Sequence, residues 1–123
     1  MRRRLLGLGL GLVATIAAAA GVDNKWRLEF SGNAESDGRI VLELAPEQGE
    51  PQRATADIRK GRSENGVARD VRDALKAQVG QRYGVEVDDG EDVLVKKRRG
   101  EQDFVVTIVE NTVDGVRINV DAE

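Results

Sequence analysis

Residues Ser63–Gly80 read SENGVARDVRDALKAQVG. Val67, Val71, Ala74, Leu75 and Val79 recur at helical spacing and form one apolar stripe. Arg69, Asp70, Arg72, Asp73 and Lys76 fall on the opposite side. Ser63 suits an N-cap, because its hydroxyl can accept from an unpaired N–H of the first turn. Gly80 suits a C′ residue, because it can enter the left-handed region without a Cβ clash. The spacing therefore predicts one amphipathic helix over about 63–79. A helix with a single apolar face needs a surface to cover, and the chain on both sides of it reads as strands.

Before the helix, Trp26, Leu28 and Phe30 alternate with Lys25, Arg27 and Glu29, the mark of a half-buried strand. The same period places Trp26 in the core. Ile40, Leu42 and Leu44 alternate next, and then Ala54, Ala56 and Ile58. With a turn over Pro46–Pro51, these two runs predict an antiparallel hairpin. After the helix, Val85 and Val87 precede the acidic turn Asp88-Asp89-Gly90-Glu91-Asp92, and Val93 and Val95 follow it. A two-residue turn would pair Val87 with Asp92. A three-residue loop, Asp89–Glu91, pairs Val87 with Val93 and Val85 with Val95 and keeps one face apolar, so the longer loop is preferred. Phe104 to Val109 is nearly continuously apolar, which predicts a strand covered on both faces. Asp114-Gly115 predicts a closing two-residue hairpin that pairs Val113 with Val116, Asn111 with Ile118 and Val109 with Val120. The fold class expected is α+β: a mostly antiparallel sheet with one helix packed across a face.

Composition bounds what such a domain does. With 123 residues there is room for one domain. Arg2, Arg3 and Arg4, the uncharged run Leu5–Ala20 and the small residues Ala18-Ala19-Ala20 have the pattern of a secretory signal. The alternative is an uncleaved N-terminal anchor. The expectation is a signal segment over 1–20, a single domain over 21–123, and an exported protein, periplasmic or secreted. Removing the three arginines takes the net charge from −3 to −6. An acidic domain is poorly suited to nucleic acid, and no aromatic side chains interleave with its basic residues as a stacking platform would need. The chain has no Cys, hence no disulfide framework and no acceptor for a lipoprotein anchor.

The strands IVLELAP and ATADIRKG, the helix RSENGVARDVRDALKAQVG, the strand pair YGVEVDDGEDVLVKK and the closing strand DFVVTIVEN follow one another between Arg39 and Val109. This layout resembles the hairpin–helix–hairpin module of phage tail-tube and other virion structural proteins and of bacterial surface and filament proteins. Gly61 stands where that family places a glycine-containing bend before the helix. The resemblance implies a non-enzymatic module used in assembly.

Candidate chemistry is sparse. There is no His, so the side chain best matched to proton transfer near neutrality is missing. Only Ser31, Ser36 and Ser63 offer hydroxyl nucleophiles of the serine type, with no nucleophile elbow and no phosphate-cradling glycine loop. No catalytic residue and no cofactor are assigned. The acidic turn of Asp88, Asp89, Glu91 and Asp92 offers hard oxygen ligands for calcium, but its spacing is not that of an EF-hand and it reads better as a solvated hairpin tip. The basic run Lys96-Lys97-Arg98-Arg99 follows on the same hairpin. In the preferred register Arg82, Lys96 and Arg98 share one face, so the hairpin is acidic at its tip and basic at its base. A charged strand end that discourages edge pairing would look the same. The partner-binding candidates are Arg82, Asp88, Asp92, Lys96, Lys97, Arg98 and Arg99. The function expected is binding or assembly through contact with a protein or with further copies. An envelope-surface binder of anionic lipid or polysaccharide is the alternative, and a small hydrolase the third. Contact with a membrane enters only through export or surface charge.

Overall fold

The computed structural model describes residues 21–123, so the expected signal segment lies outside the described residues. In chain order the elements are β1 (Lys25–Ser31), β2 (Gly38–Pro46), β3 (Gln52–Ile58), α1 (Glu64–Val79), β4 (Tyr83–Asp88), β5 (Asp92–Lys97), β6 (Phe104–Asn111) and β7 (Arg117–Ala122). The α+β class holds. The strands divide between two antiparallel sheets, a four-stranded one in the order β4-β5-β1-β7 and a three-stranded one in the order β3-β2-β6. Among the described residues no helix is long and apolar enough to cross a membrane.

The helix is built as its sequence predicts. Ser63 Oγ accepts from Gly66 N–H at 3.1 Å, and Val67, Val71, Leu75 and Val79 are buried. Before it, Gly61 takes φ +94° in a turn closed by Arg62 N–H donating to Arg59 O at 3.2 Å. α1 packs against β3 of one sheet and against β4, β5 and β1 of the other, bridging the two. The inward residues of both sheets and of α1 make one buried cluster. Trp26 is buried in it, and its indole N–H donates to Phe104 O at 2.7 Å, joining β1 to β6 across the sheets.

Two expected hairpins form, the second in its expected register. β2 pairs with β3, and β4 with β5 through Val85–Val95 and Val87–Val93. The loop Asp89–Glu91 turns with φ +52° at Asp89 and +76° at Gly90.

Three local expectations are corrected. The closing hairpin does not form: β6 pairs with β2, and β7 pairs with β1. The turn at Asp114-Gly115 is present, with Val116 N–H directed at Val113 O at 3.4 Å, but only Gly115 has positive φ, +86°. A primed hairpin turn needs positive φ at both centres, or at the first; positive φ at the second alone splays the flanking strands. Asn111 braces this corner, its Oδ1 accepting from Val113 N–H and its Nδ2 donating to Val116 O, both at 3.0 Å. Val113 and Val116 are both buried, which holds the corner against the core. Secondly, β6 is an edge strand and is covered on both faces only at its start: Phe104, Val105 and Val106 are buried, but Val109 is 41% exposed. Thirdly, Gly80 stays right-handed at φ −65°, because the chain continues into a further turn in which Arg82 N–H donates to Val79 O at 3.1 Å.

Candidate functional site

Side chains on a strand alternate between faces, so the register of β4, β5, β1 and β7 determines which residues share the outer face of the larger sheet. Three rows cross it. Gly84, Lys96, Lys25 and, just past β7, Glu123 make the first; Glu86, Leu94, Arg27 and Asp121 the second; Asp88, Asp92, Glu29 and Asn119 the third. The face therefore runs from cationic to anionic along the strands. Two residues advance a strand by about 6.6 Å, so the first and third rows stand about 13 Å apart.

Arg27 occupies the middle. Its guanidinium pairs with Asp92 at 2.5 Å, Asp88 at 3.1 Å and Glu123 at 2.9 Å. Hydrogen bonds to Glu123 first, then Asp92, hold its proton more tightly than usual, and the same contact pulls the Glu123 carboxyl below the ordinary carboxylate range. Asp88 and Asp92, expected as free partner-binding groups of a solvated tip, are thus engaged within the fold. The Asp92 side chain is only 8% exposed. Arg27 itself was missed as a site residue, because nothing in its alternating strand shows which carboxylates will surround it.

At the cationic end lies a groove of about 340 Å³ with Gly84 and Leu94 in its lining. Gly84 brings no side chain to this row beside Lys96. Lys25, Lys76, Lys96 and Arg98 line the groove, and Glu86 is its one anion. None of these four cations makes an ion pair among the described residues. Arg98 Nε donates to Gly80 O at 2.8 Å, which fixes the guanidinium at the helix C-terminus, where the partial negative charge favours a cation. Arg98 N–H also donates to Arg82 O at 2.9 Å, the pairing expected from the hairpin register. Arg82 and Arg99 are exposed beside the groove. Lys97 is turned to another use, with its ammonium 2.9 Å from Asp103. Lys25 and Lys76 join the site only through tertiary structure, one from β1 and one from the last turn of α1. The alternation of β1 places Lys25 on the outer face, but no sequence signal brings Lys76 to it.

At the anionic end a second cavity, of about 320 Å³, is lined by Glu29, Glu64, Glu91 and Asp92, together with Ser31 and Asn119. Burial, then the negative charge of Asp92, pushes the Glu91 carboxyl up. Asp92 Oδ1 is buried without a hydrogen-bond partner among the described residues, although Oδ2 is held by Arg27. The acidic turn does not converge as a metal centre: no three His, Cys, Asp or Glu among the described residues are grouped to hold an ion. Asp89 stands exposed at the tip.

Ser31 shares the acidic cavity with Glu29, Glu64 and Glu91, but no hydrogen bond joins its hydroxyl to a carboxylate among the described residues. Ser36 Oγ accepts from Asp114 N–H at 3.0 Å and Ser63 Oγ caps α1, so both hydroxyls serve turns and caps. No large apolar side chain other than Val109 is exposed among the described residues, so the described surface has no sizeable apolar patch. No family model matches the chain, and no curated protein or solved structure matches it.

Proposed function

We propose that this chain is an exported, non-enzymatic binding module that engages an anionic group of a protein partner in the groove at the base of the β4–β5 hairpin. The observation that carries the reading is the convergence of Lys25, Lys76, Lys96 and Arg98 on one groove without compensating ion pairs. Cations gathered from β1, α1, β5 and the segment after β5 raise the local potential well above that of an acidic domain as a whole. The groove is concave and holds one anion of its own, Glu86. This favours discrete carboxylates on a protruding segment over a flat, densely charged bilayer. The hairpin–helix–hairpin resemblance, with its use in assembly, points in the same direction. Export rests on the basic start and the apolar run of residues 5–20.

The probe is fluorescent poly-glutamate, titrated into the full chain at low and high salt. Binding is expected at low salt, with a loss of about tenfold or more in Lys25→Glu/Lys96→Glu. Arg69→Glu, on the exposed side of α1, should bind as the wild type does. Equal binding by both variants would overturn the reading. Vesicles containing phosphatidylglycerol test the second reading, an anionic envelope surface, which the exposed Arg82 and Arg99 beside the groove favour. Selective capture of vesicles over poly-glutamate would move the assignment there.

A further inference from the structure

The cationic groove and the acidic cavity open at opposite ends of the same strands; Lys25 and Lys96 of the one, and Glu29 and Asp92 of the other, stand on the outer face. A two-fold axis lying in the plane of this face and perpendicular to the strands reverses the strand direction of a second copy. It leaves β4 over β4, β5 over β5 and β1 over β1. Because the middle row holds Leu94 and Arg27, an axis through that row sets the first row of each copy over the third row of the other. Lys96 then faces Asp92 of the second copy, Lys25 faces its Glu29, and Gly84 faces its Asp88. Each contact occurs twice.

We infer that the outer face of the four-stranded sheet is self-complementary and joins two copies of this chain in a closed, antiparallel face-to-face dimer. The inference rests on the reading of the groove as a seat for carboxylates, and it names a second copy as the partner that supplies them. An independent observation supports a cationic occupant at the acidic end. Asp92 is more than nine-tenths buried, one of its oxygens has no partner, and it lines the cavity with Glu29, Glu64 and Glu91. That oxygen is closed to solvent, so its charge favours a cation at the cavity's rim, where Glu29 is exposed, without a direct contact. The alternative axis, parallel to the strands, would set acid on acid and base on base. The contact is isologous, so assembly stops at two. Four strands at about 4.8 Å spacing and about 20 Å length give a footprint of about 400 Å² per copy, below the size of stable complexes. The dimer is therefore weak and salt-sensitive.

Sedimentation of the full chain over a concentration series tests this. The wild type should approach twice the monomer mass at low salt and return to monomer near 1 M salt, where the screening length is about 3 Å. Lys25→Glu/Lys96→Glu reverses the cations of the first row, and Glu29→Lys/Glu91→Lys puts two cations at the acidic end beside Asp88 and Asp92. Each should be monomeric alone, with unchanged circular dichroism, and an equimolar mixture should dimerise. Association through residues 5–20 would not respond to this exchange. Carbodiimide coupling of the wild-type dimer should join Lys25 to Glu29 between copies. A monomer at every concentration, a dimer indifferent to both charge reversals, or mixed variants that stay monomeric would overturn the proposal. Mass that grows beyond two copies would overturn the closed arrangement. A monomer that still binds poly-glutamate through Lys25 and Lys96 would refute the dimer alone; a monomer that does not bind it would refute the groove reading as well.

Discussion

Glu91 and Glu123 are both carboxylates of the charged face, yet their surroundings act on them in opposite directions. Glu91 is pushed up, by burial first and then by the charge of Asp92, so the folded state favours its protonated form. Its ionisation opposes folding. The penalty is absent at pH below the unfolded value, sets in as pH rises toward the folded value, and is fully present above it. Glu91→Gln should therefore raise the Tm at pH 7, and the gain should vanish in acid, below the ordinary carboxylate range. Glu123 is lowered by its hydrogen bond from Arg27, so the sign reverses. It contributes stability above its unfolded value, and that contribution is lost as pH falls through its folded value. Glu123→Gln should lower the Tm at pH 7 and converge with the wild type in strong acid. Tm against pH for the two variants checks both signs together. Opposite temperature shifts at neutral pH are expected, and shifts of the same sign would contradict this account of the face.

At the scale of elements, the helix start and the β6–β7 corner are the informative places. Ser63→Ala removes the acceptor for Gly66 N–H and should cost about 1 kcal/mol, read from the urea midpoint. The corner is held more rigidly. Gly32 has φ +88°, and a Cβ there would stand 1.9 Å from Gly115 O. That partner is backbone, so it cannot swing aside as a side-chain tip would. Gly32→Ala should cost about 1–3 kcal/mol or more, exceeding Ser63→Ala in the same urea series. The β4–β5 register was legible because one arrangement alone kept Val85, Val87, Val93 and Val95 on a single apolar face. The β6–β7 pairing satisfied the same rule on paper. It fails because Val113 and Val116 turn into the core and the two strands find longer-range partners, β2 and β1.

Over the whole molecule, β1 is one of three strands paired on both sides, with β5 on one side and β7, the last strand described, on the other. Arg27 and Glu123 close the same pairing through their side chains. Such contacts close long loops before they are rewarded, so folding belongs to the slower range of small domains, milliseconds to seconds. The amides of Trp26, Leu28 and Phe30 should exchange only through global unfolding, while those at the edges, β3 and β7, open earlier. Native-state hydrogen exchange with increasing urea measures this order directly. Earlier exchange in β1 than in β7 would show that the larger sheet opens from its centre.

Period and turn chemistry were enough to read the α+β class, the helix from its cap onward, the buried Trp26 and two of the hairpins, because each depends on residues close together in the chain. Which sheet a strand joins depends on partners scores of residues away. An alternating pattern states that one face is buried without stating against what, so β6 at an edge and β7 beside β1 could not be foreseen. The charged site divides in the same way. The acidic tip and basic base follow from the register of one hairpin. Lys25, Lys76, Glu29 and Glu64 enter from β1 and the two ends of α1. The burial of Asp92 against Arg27 arises where β1 docks beside β5, because a carboxylate there leaves water and takes its hydrogen bonds from the strand that displaced it.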